Sequence, residues 1–207
     1  MKKVFISYHH ANDQWAKDNL QSWAAQFNLF EDASVNTREI EDGLPTETIR
    51  CRIRDDYLRD STVTIVLVGT ETKGRKHVDW EIYSSMRNGN INKKSGILVI
   101  QLPSTNGTYF TAAHESEKET VYSDCSGWMA IDDRSEYERR YPFLPARIID
   151  NLLKSEARIS VTTWERVTAD LNNLTVMIDA AHDARLSNEY DFSRDLRRSN
   201  SASPANG

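Results

Sequence analysis

Residues 62–89 of the chain read TVTIVLVGTETKGRKHVDWEIYSSMRNG, and this stretch decides the fold. It opens on six apolar or β-branched residues, Val63 to Val68, with no alternation of polar side chains. A continuous run of this kind is typical of a strand covered on both faces, as in the parallel sheet of an α/β protein. A helix should follow the strand, because Val78, Ile82 and Met86 recur at helical spacing.

Glu81 is the first candidate for a functional residue. It lies at the margin of the packed face of this helix, shortly after the carboxyl end of the buried strand. Open α/β sheets bind their ligands at that edge. From spacing alone, a surface carboxylate paired with His77 one turn earlier is the more common role for such a residue. The spacing therefore leaves the role of Glu81 open.

The first hundred residues alternate between strand and helix patterns. Strands are expected at residues 3–8, 28–30, 63–68 and 97–102, and helices starting near Asn12 or Asp13, at Pro45 and before Glu81. This alternation predicts a parallel sheet with right-handed crossovers. In the flavodoxin-like strand order 2-1-3-4, residues 7–10, residues 69–72 and the helix of Glu81 would surround one crevice at the switch point.

The second half of the chain gives weaker signals. Residues 103–146 are expected to form loops, with a last strand near residues 127–131. Thr162 and Glu165 form a capping box that predicts the start of a long C-terminal helix. We expect one domain over residues 1–190, with its core in 1–150 and a helical extension in 151–190, followed by a disordered tail over 191–207.

Composition excludes several classes of function. The formal charge of -5 gives no general reason for nucleic acid or an anionic membrane to be a partner. No apolar run approaches the roughly 20 residues that span a bilayer, and the short run after Met1 does not resemble a signal sequence. We therefore expect a cytoplasmic protein. Cys51 and Cys125 stand far apart, without the spacing of a zinc or redox site, so no metal site is predicted.

The crevice residues suit a nucleoside better than a metal. The chain lacks the glycine motifs that cradle phosphates, and Leu67-Val68-Gly69-Thr70 stand where a receiver domain carries an acid. The candidate groups that remain in the crevice are the rings of residues 8–10, His77 and the carboxylate of Glu81. Such a site could cleave an N-glycosidic bond whose base departs easily, as in nicotinamide dinucleotides, where the leaving pyridine is already cationic. His9 and His10 as loop residues, and Trp80 as a packing residue, are the simpler alternatives.

Four segments of the chain resemble a bacterial TIR-like domain, and within that superfamily the TIR protein of the Thoeris antiphage system. They are Val4 to Tyr8, Phe30 to Ser34, Ser61 to Gly69 and His77 to Ile82. The resemblance implies a flavodoxin-like three-layer fold and cleavage of NAD, with Glu81 essential and no prosthetic group. It further implies that phage infection triggers synthesis of a cyclic or otherwise modified ADP-ribose, which activates a separate effector protein.

The resemblance also implies a substrate-binding set. Ser7, Tyr8 and His9 take the place of the strand-end residues that line the nucleotide site of the family, and Asp32 that of an acidic residue in the adjacent loop. The family motif W-x-x-x-E carries His77 at its first position in this chain.

Related enzymes complete their sites with a loop from a neighbouring subunit. Self-association is therefore expected, with residues 31–43 as that loop. Two alternatives remain at this point: a TIR-like interaction module without turnover, and a nucleoside-transferring enzyme that acts on another base.

Overall fold

A computed structural model describes residues 1–33, 58–89 and 93–201 of the chain. The strands are β1 (Lys3–Ser7), β2 (Glu31–Asp32), β3 (Val63–Val68), β4 (Gly96–Gln101) and β5 (Ser160–Thr163). The α-helices are α1 (His10–Phe27), α2 (Lys76–Met86), α3 (Arg134–Arg140), α4 (Ala146–Leu152), α5 (Trp164–Ala169) and α6 (Leu171–Ala184). The helix predicted to start at Pro45 lies outside the described residues.

The five strands form one parallel sheet in the order β2-β1-β3-β4-β5. The parallel sheet predicted from the alternation of strands and helices is confirmed, and its strand order is the flavodoxin-like one that the family resemblance implies. The register aligns Ser7 of β1 with Val66 of β3, and Val68 of β3 with Gln101 of β4. The carboxyl ends of β1 and β3 are therefore neighbours at the switch point, where the chain order reverses.

Helices cover both faces of the sheet, which gives three layers. Side chains of β3 alternate between the two faces: Ile65 and Leu67 pack in the core with α1 and α6, whereas Val66 and Val68 pack in the core with α2 and α4. All six residues of β3 are buried, as its unbroken run of apolar or β-branched residues predicted. Thr64, the polar member, bonds Ser85 of α2 through their hydroxyl oxygens, which lie 2.7 Å apart.

The C-terminal region differs from two expectations. The fifth strand is Ser160–Thr163, and the residues predicted as a strand, 127–131, form none. The capping box predicted at Thr162 is shifted by one residue, because Thr163 accepts the bond from Arg166 N that starts α5. The single long helix is also interrupted: Asp170 is extended, and its side chain caps a second helix, α6, at Asn172 N.

Residues 191–201 were expected to be disordered. In the structure they lie against the first residues of α2. Trp80 Nε1 donates to Arg197 O at 2.8 Å, and Ser201 N donates to Gly74 O at 3.0 Å. The Lys76 backbone N–H, at the start of α2, donates to Asn200 Oδ1. These contacts are made by backbone groups and polar side chains, so apolar periodicity gave no sign of them. Across the three described ranges, no helix has both the length and the apolarity needed to cross a membrane.

Candidate functional site

The site is centred on Glu81, which is buried against the end of β1. Ser7, the last residue of that strand, donates its hydroxyl to Glu81 Oε2 at 2.6 Å. Ser7 is fully buried, and Glu81 is only 8% exposed. This burial excludes the alternative in which Glu81 is an ordinary surface carboxylate. The fold therefore places the carboxyl group of Glu81 at the switch point of the sheet, where it is shielded from water.

Burial alters the acidity of Glu81. Removing a carboxylate from water disfavours its charged form, and this raises the pKa of Glu81 from 4.5 to about 7. The hydrogen bond from Ser7 acts in the opposite direction, because it stabilises the ionised form. Glu81 is consequently divided between its acid and its carboxylate near neutral pH. Perturbed carboxyl groups of this kind cluster at functional sites.

Replacing Ser7 by alanine should raise the pKa of Glu81 further, because the charged form loses its hydroxyl donor. We expect the Glu81 carboxyl carbon to titrate near pH 7 in the wild-type protein and at higher pH in Ser7→Ala, followed by ¹³C NMR. Ser135→Ala, which removes a hydroxyl bonded to Asp133 in another part of the chain, should leave the midpoint unchanged. Titration of wild-type Glu81 near pH 4.5 would contradict the burial argument.

Tyr8 extends the site from the end of β1. Its hydroxyl donates to Gln14 Oε1 at 2.6 Å, and its ring stacks on the ring of His10 with centroids 4.4 Å apart. Burial is the main cause that raises the pKa of Tyr8, and the charges of Asp18 and Glu81 add to it. Tyr8 is therefore within electrostatic reach of Glu81, and the structure brings together these two residues and Ser7, as predicted.

His9 occupies the N-cap position of α1, and its carbonyl accepts a bond from Asp13 N at 2.9 Å. Burial and the charge of Arg75 lower the pKa of His9, so its ring is neutral at pH 7. Its Nδ1 is buried and has no hydrogen-bond partner among the residues that the structure describes. The helix thus begins earlier than the cap predicted at Asn12 or Asp13.

Asp13 is a second buried carboxylate that the sequence did not single out. It is 3% exposed and accepts a bond from Thr72 Oγ1 at 3.3 Å. A Cβ atom at Gly69 would lie 2.5 Å from Asp13 Oδ1, so only glycine at this position lets the carboxylate approach the end of β3. Burial raises the pKa of Asp13 to about 6. An acid in the first turn of a helix is normally interpreted as a cap or a partner of the helix dipole. The signal that could have identified Asp13 as a buried residue is Gly69, the glycine directly after β3.

The remaining two predicted residues lie at the ends of their elements. His77 is half-buried in the first turn of α2, one turn before Glu81, with its ring edge-on to Trp80 at 5.5 Å. Asp32 is exposed on β2 and pairs in register with Val4, three residues before the end of β1. That offset is roughly 10 Å along the strand, and the side chain of Asp32 accepts a bond from Gln21. Binding roles for both stay predictions, and residues 34–43 of the predicted loop lie outside the described residues.

The arrangement is suited to stabilising a positive charge. Two carboxylates from α1 and α2, Asp13 and Glu81, lie at the carboxyl edge of neighbouring strands, with the aromatic pair of Tyr8 and His10 beside them. A carboxylate shielded from water interacts strongly with a cation that develops beside it. Within the described ranges, no group of three or more His, Cys, Asp or Glu side chains is placed to hold a metal ion.

A comparison with known protein families gives a match. Residues 5–107 match the family described as Thoeris protein ThsB, TIR-like domain. The matched region runs from β1 past the end of β4, so it includes both sides of the switch point and Glu81. A search of curated proteins found no match to the chain.

Proposed function

Because residues 5–107 of the chain belong to the TIR-like domain family of the Thoeris protein ThsB, we propose that the protein is an NAD-cleaving enzyme of antiphage defence. The family match supports a TIR module of antiphage defence. The proposed activity is cleavage of the bond between nicotinamide and ribose, with Glu81 as the catalytic residue. The observation that carries this proposal is the burial of Glu81 against Ser7 at the switch point of the sheet.

The proposed chemistry needs one carboxylate and no general acid. As the bond between the ribose C1′ and the pyridine nitrogen breaks, its electron pair goes to the nitrogen, and the cationic pyridinium leaves as neutral nicotinamide. Positive charge then develops on the ribose, where ionised Glu81 stabilises it or holds a ribose hydroxyl. Water, or a hydroxyl group of the same ADP-ribose, attacks C1′ and releases a proton. The first outcome is hydrolysis and the second is cyclisation.

The acidity of Glu81 fits this role. With a pKa of about 7, part of the free enzyme carries protonated Glu81 at neutral pH. A cationic nicotinamide beside the carboxyl group favours the charged form and so lowers its pKa. NAD binding therefore favours the ionised form of Glu81, and ionised Glu81 in turn favours NAD binding. The bond from Ser7 Oγ holds one carboxylate oxygen, Oε2, in place. In the proposed complex the other oxygen, Oε1, contacts the ribose.

The wider proposal rests on the family match. Phage infection would trigger the enzyme, self-association would complete the site, and the ADP-ribose product would diffuse to a separate effector protein. Burial of Glu81 against Ser7 within one chain supports a catalytic side chain that is already held in place before self-association completes the site. The trigger would then act by admitting or positioning NAD.

The decisive experiment measures nicotinamide release from NAD. Wild-type protein, Glu81→Gln and Glu119→Gln are each incubated with NAD and with lysate from infected or uninfected cells, and lysate alone is the blank. Glu119 is exposed, so its replacement makes the same chemical change outside the site. We expect release with infected lysate from the wild type and from Glu119→Gln, and none above the blank from Glu81→Gln. No release from the wild type under either condition would favour the interaction module, and mass spectrometry would identify the ADP-ribose product.

A further inference from the structure

A cavity lies on another side of α2 from Ser7. Asp79 lines it, and Asp79 and Glu81 are two residues apart, which places them about 200° apart around the helix. The cavity has a volume of about 300 Å³. Its walls are the segment that leads into α2, the start of α4, and residues 194–199 of the docked C-terminal segment. This position separates it from the proposed catalytic site.

Cationic side chains dominate the lining of this cavity. Two of them are neutralised by carboxylates: Arg75 Nη2 lies 2.7 Å from Glu71 Oε2, and Arg194 Nε lies 2.5 Å from Asp150 Oδ2. These two pairs fix the positions of the guanidinium groups. They contribute little net charge to the cavity.

The carboxylate of Asp79 is also neutralised. Arg147 is fully buried and donates from Nε to Asp79 Oδ1 at 2.8 Å and from Nη2 to Asp79 Oδ2 at 3.1 Å. A bidentate pair of this geometry cancels the charge of both partners. Asp79 therefore does not repel an anion that enters the cavity.

Three further cations have no carboxylate partner among the described residues. Lys73 Nζ donates to Pro142 O at 3.1 Å, and Arg197 Nη1 donates to Ser201 Oγ at 2.8 Å, so both bond uncharged acceptors. Arg198 makes no hydrogen bond or ion pair within residues 1–33, 58–89 and 93–201. The remaining acidic lining residue is Asp195. Two positive charges are left over, in a chain whose formal charge is -5.

We propose that this cavity binds the diphosphate group of a small metabolite. A diphosphate carries the negative charge that the leftover cations require, and arginine forks match the geometry of phosphate oxygens. The volume is at the lower end of the range for small-molecule sites, which suits a compact anion. The start of α2, an 11-residue helix, adds the positive end of its dipole.

Binding there would connect the C-terminal segment to the entry of α2. Lys73 belongs to the turn before α2, whereas Arg197 and Arg198 belong to the segment that crosses it. An anion bridging these residues would hold the segment in place. This inference does not depend on NAD cleavage, because none of the cavity residues belongs to the proposed catalytic set.

The test is titration of the full-length protein with inorganic pyrophosphate by isothermal calorimetry at low salt. We expect binding that weakens as NaCl is raised, and a loss of affinity of about tenfold or more in Arg198→Gln and in Lys73→Gln. Arg59→Gln makes the same charge change at an exposed position before β3 and should bind like the wild type. Glu81→Gln should also retain binding, which separates this site from the catalytic one.

Three results would overturn the proposal. The first is the absence of measurable pyrophosphate binding at millimolar concentration and low salt. The second is an equal loss of affinity in Arg59→Gln and Arg198→Gln, which would indicate attraction by overall charge only. The third is unchanged affinity in both Arg198→Gln and Lys73→Gln. Because Arg198 has no partner in the described part of the chain, its replacement should leave the fold intact, and circular dichroism checks this.

Discussion

Glu81→Gln should produce a protein that is more stable than the wild type above pH 7 and that releases nicotinamide about 10²- to 10³-fold more slowly. The variant keeps the shape of the side chain and an oxygen that can accept the bond from Ser7. It removes the charge that the buried position disfavours. A residue retained for packing alone would not show this opposition between stability and activity.

The stability that Glu81→Gln gains over the wild type depends on pH because the pKa of Glu81 is raised in the folded protein. In the unfolded chain Glu81 titrates near its ordinary value of 4.5, and in the folded protein near 7. The folded state therefore holds a proton that the unfolded state has lost between these two values, so wild-type stability falls as pH rises through this window and levels off above it. Below about pH 4.5 the wild type and Glu81→Gln should be equally stable.

The difference between the two pKa values of Glu81 also sets the size of the stability gain. A shift of this extent corresponds to at most about 3–4 kcal/mol, and relaxation around the buried charge reduces it, so we expect about 1–3 kcal/mol at pH 8. For a domain of this length each kcal/mol moves Tm by about 2–4 °C. Thermal unfolding at pH 5 and pH 8 measures the difference. Glu119→Gln, at an exposed position, should change neither Tm nor activity.

Two outcomes would refute the argument. If Glu81→Gln is less stable than the wild type at pH 8, the carboxylate is a structural partner of Ser7 and not a strained functional group. If its stability advantage is the same at pH 5 and pH 8, the gain does not come from the ionisation of Glu81.

The sequence predicted the elements in which one physical signal dominates. The unbroken run of apolar or β-branched residues at 63–68 identified β3 residue for residue, because a strand buried on both faces leaves no position for a polar residue that faces water. The spacing of Val78, Ile82 and Met86 identified α2, and all three are buried in one cluster. Since carboxyl ends of adjacent parallel strands share an edge, the position of Glu81 beside Ser7 followed from the strand order.

The sequence could not reveal features that depend on distant polar contacts. Asp13 resembles a helix cap, and its burial arises only because Gly69, far along the chain, leaves room for its carboxylate. The strand Ser160–Thr163 consists largely of hydroxyl residues, so it lacks an apolar run, and pairing with β4 defines it. The apolar spacing predicts one helix that continues through Asp170. The side chain of Asp170 instead caps a new helix, so the predicted helix is divided in two at this residue.

The C-terminal segment is also held by polar contacts between residues that are distant in the sequence. Asp79 accepts two bonds from the buried Arg147 and a third, at 2.9 Å, from the backbone N–H of Arg197. Arg147 in turn donates to the carbonyl oxygens of Arg194 and Asp195. One ion pair thus joins α2, α4 and residues 194–197. The sequence of this segment shows no apolar pattern, and this ion pair is the buried charged contact among the polar bonds that hold the segment in place.

Asp79→Ala should therefore destabilise the protein by about 3–5 kcal/mol, because it leaves the Arg147 guanidinium buried without a counter-charge. It should also release the C-terminal segment, so that trypsin cleaves after Arg194, Arg197 and Arg198 faster than in the wild type. Urea unfolding gives the first quantity, and timed digestion with mass spectrometry gives the second. Asp132→Ala, which removes an exposed carboxylate, is the matched control and should change neither.

Replacing both members of the pair distinguishes a buried charge from a lost contact. If the cost arises from the unpaired guanidinium, Asp79→Leu combined with Arg147→Met should recover much of the stability that Asp79→Ala loses, because no charge then remains in the interior. The segment should nevertheless stay sensitive to trypsin, since the bonds to Arg194 O, Asp195 O and Arg197 N are absent. A double variant as unstable as Asp79→Ala would show that the three-way junction itself, and not its charge balance, stabilises this face of α2.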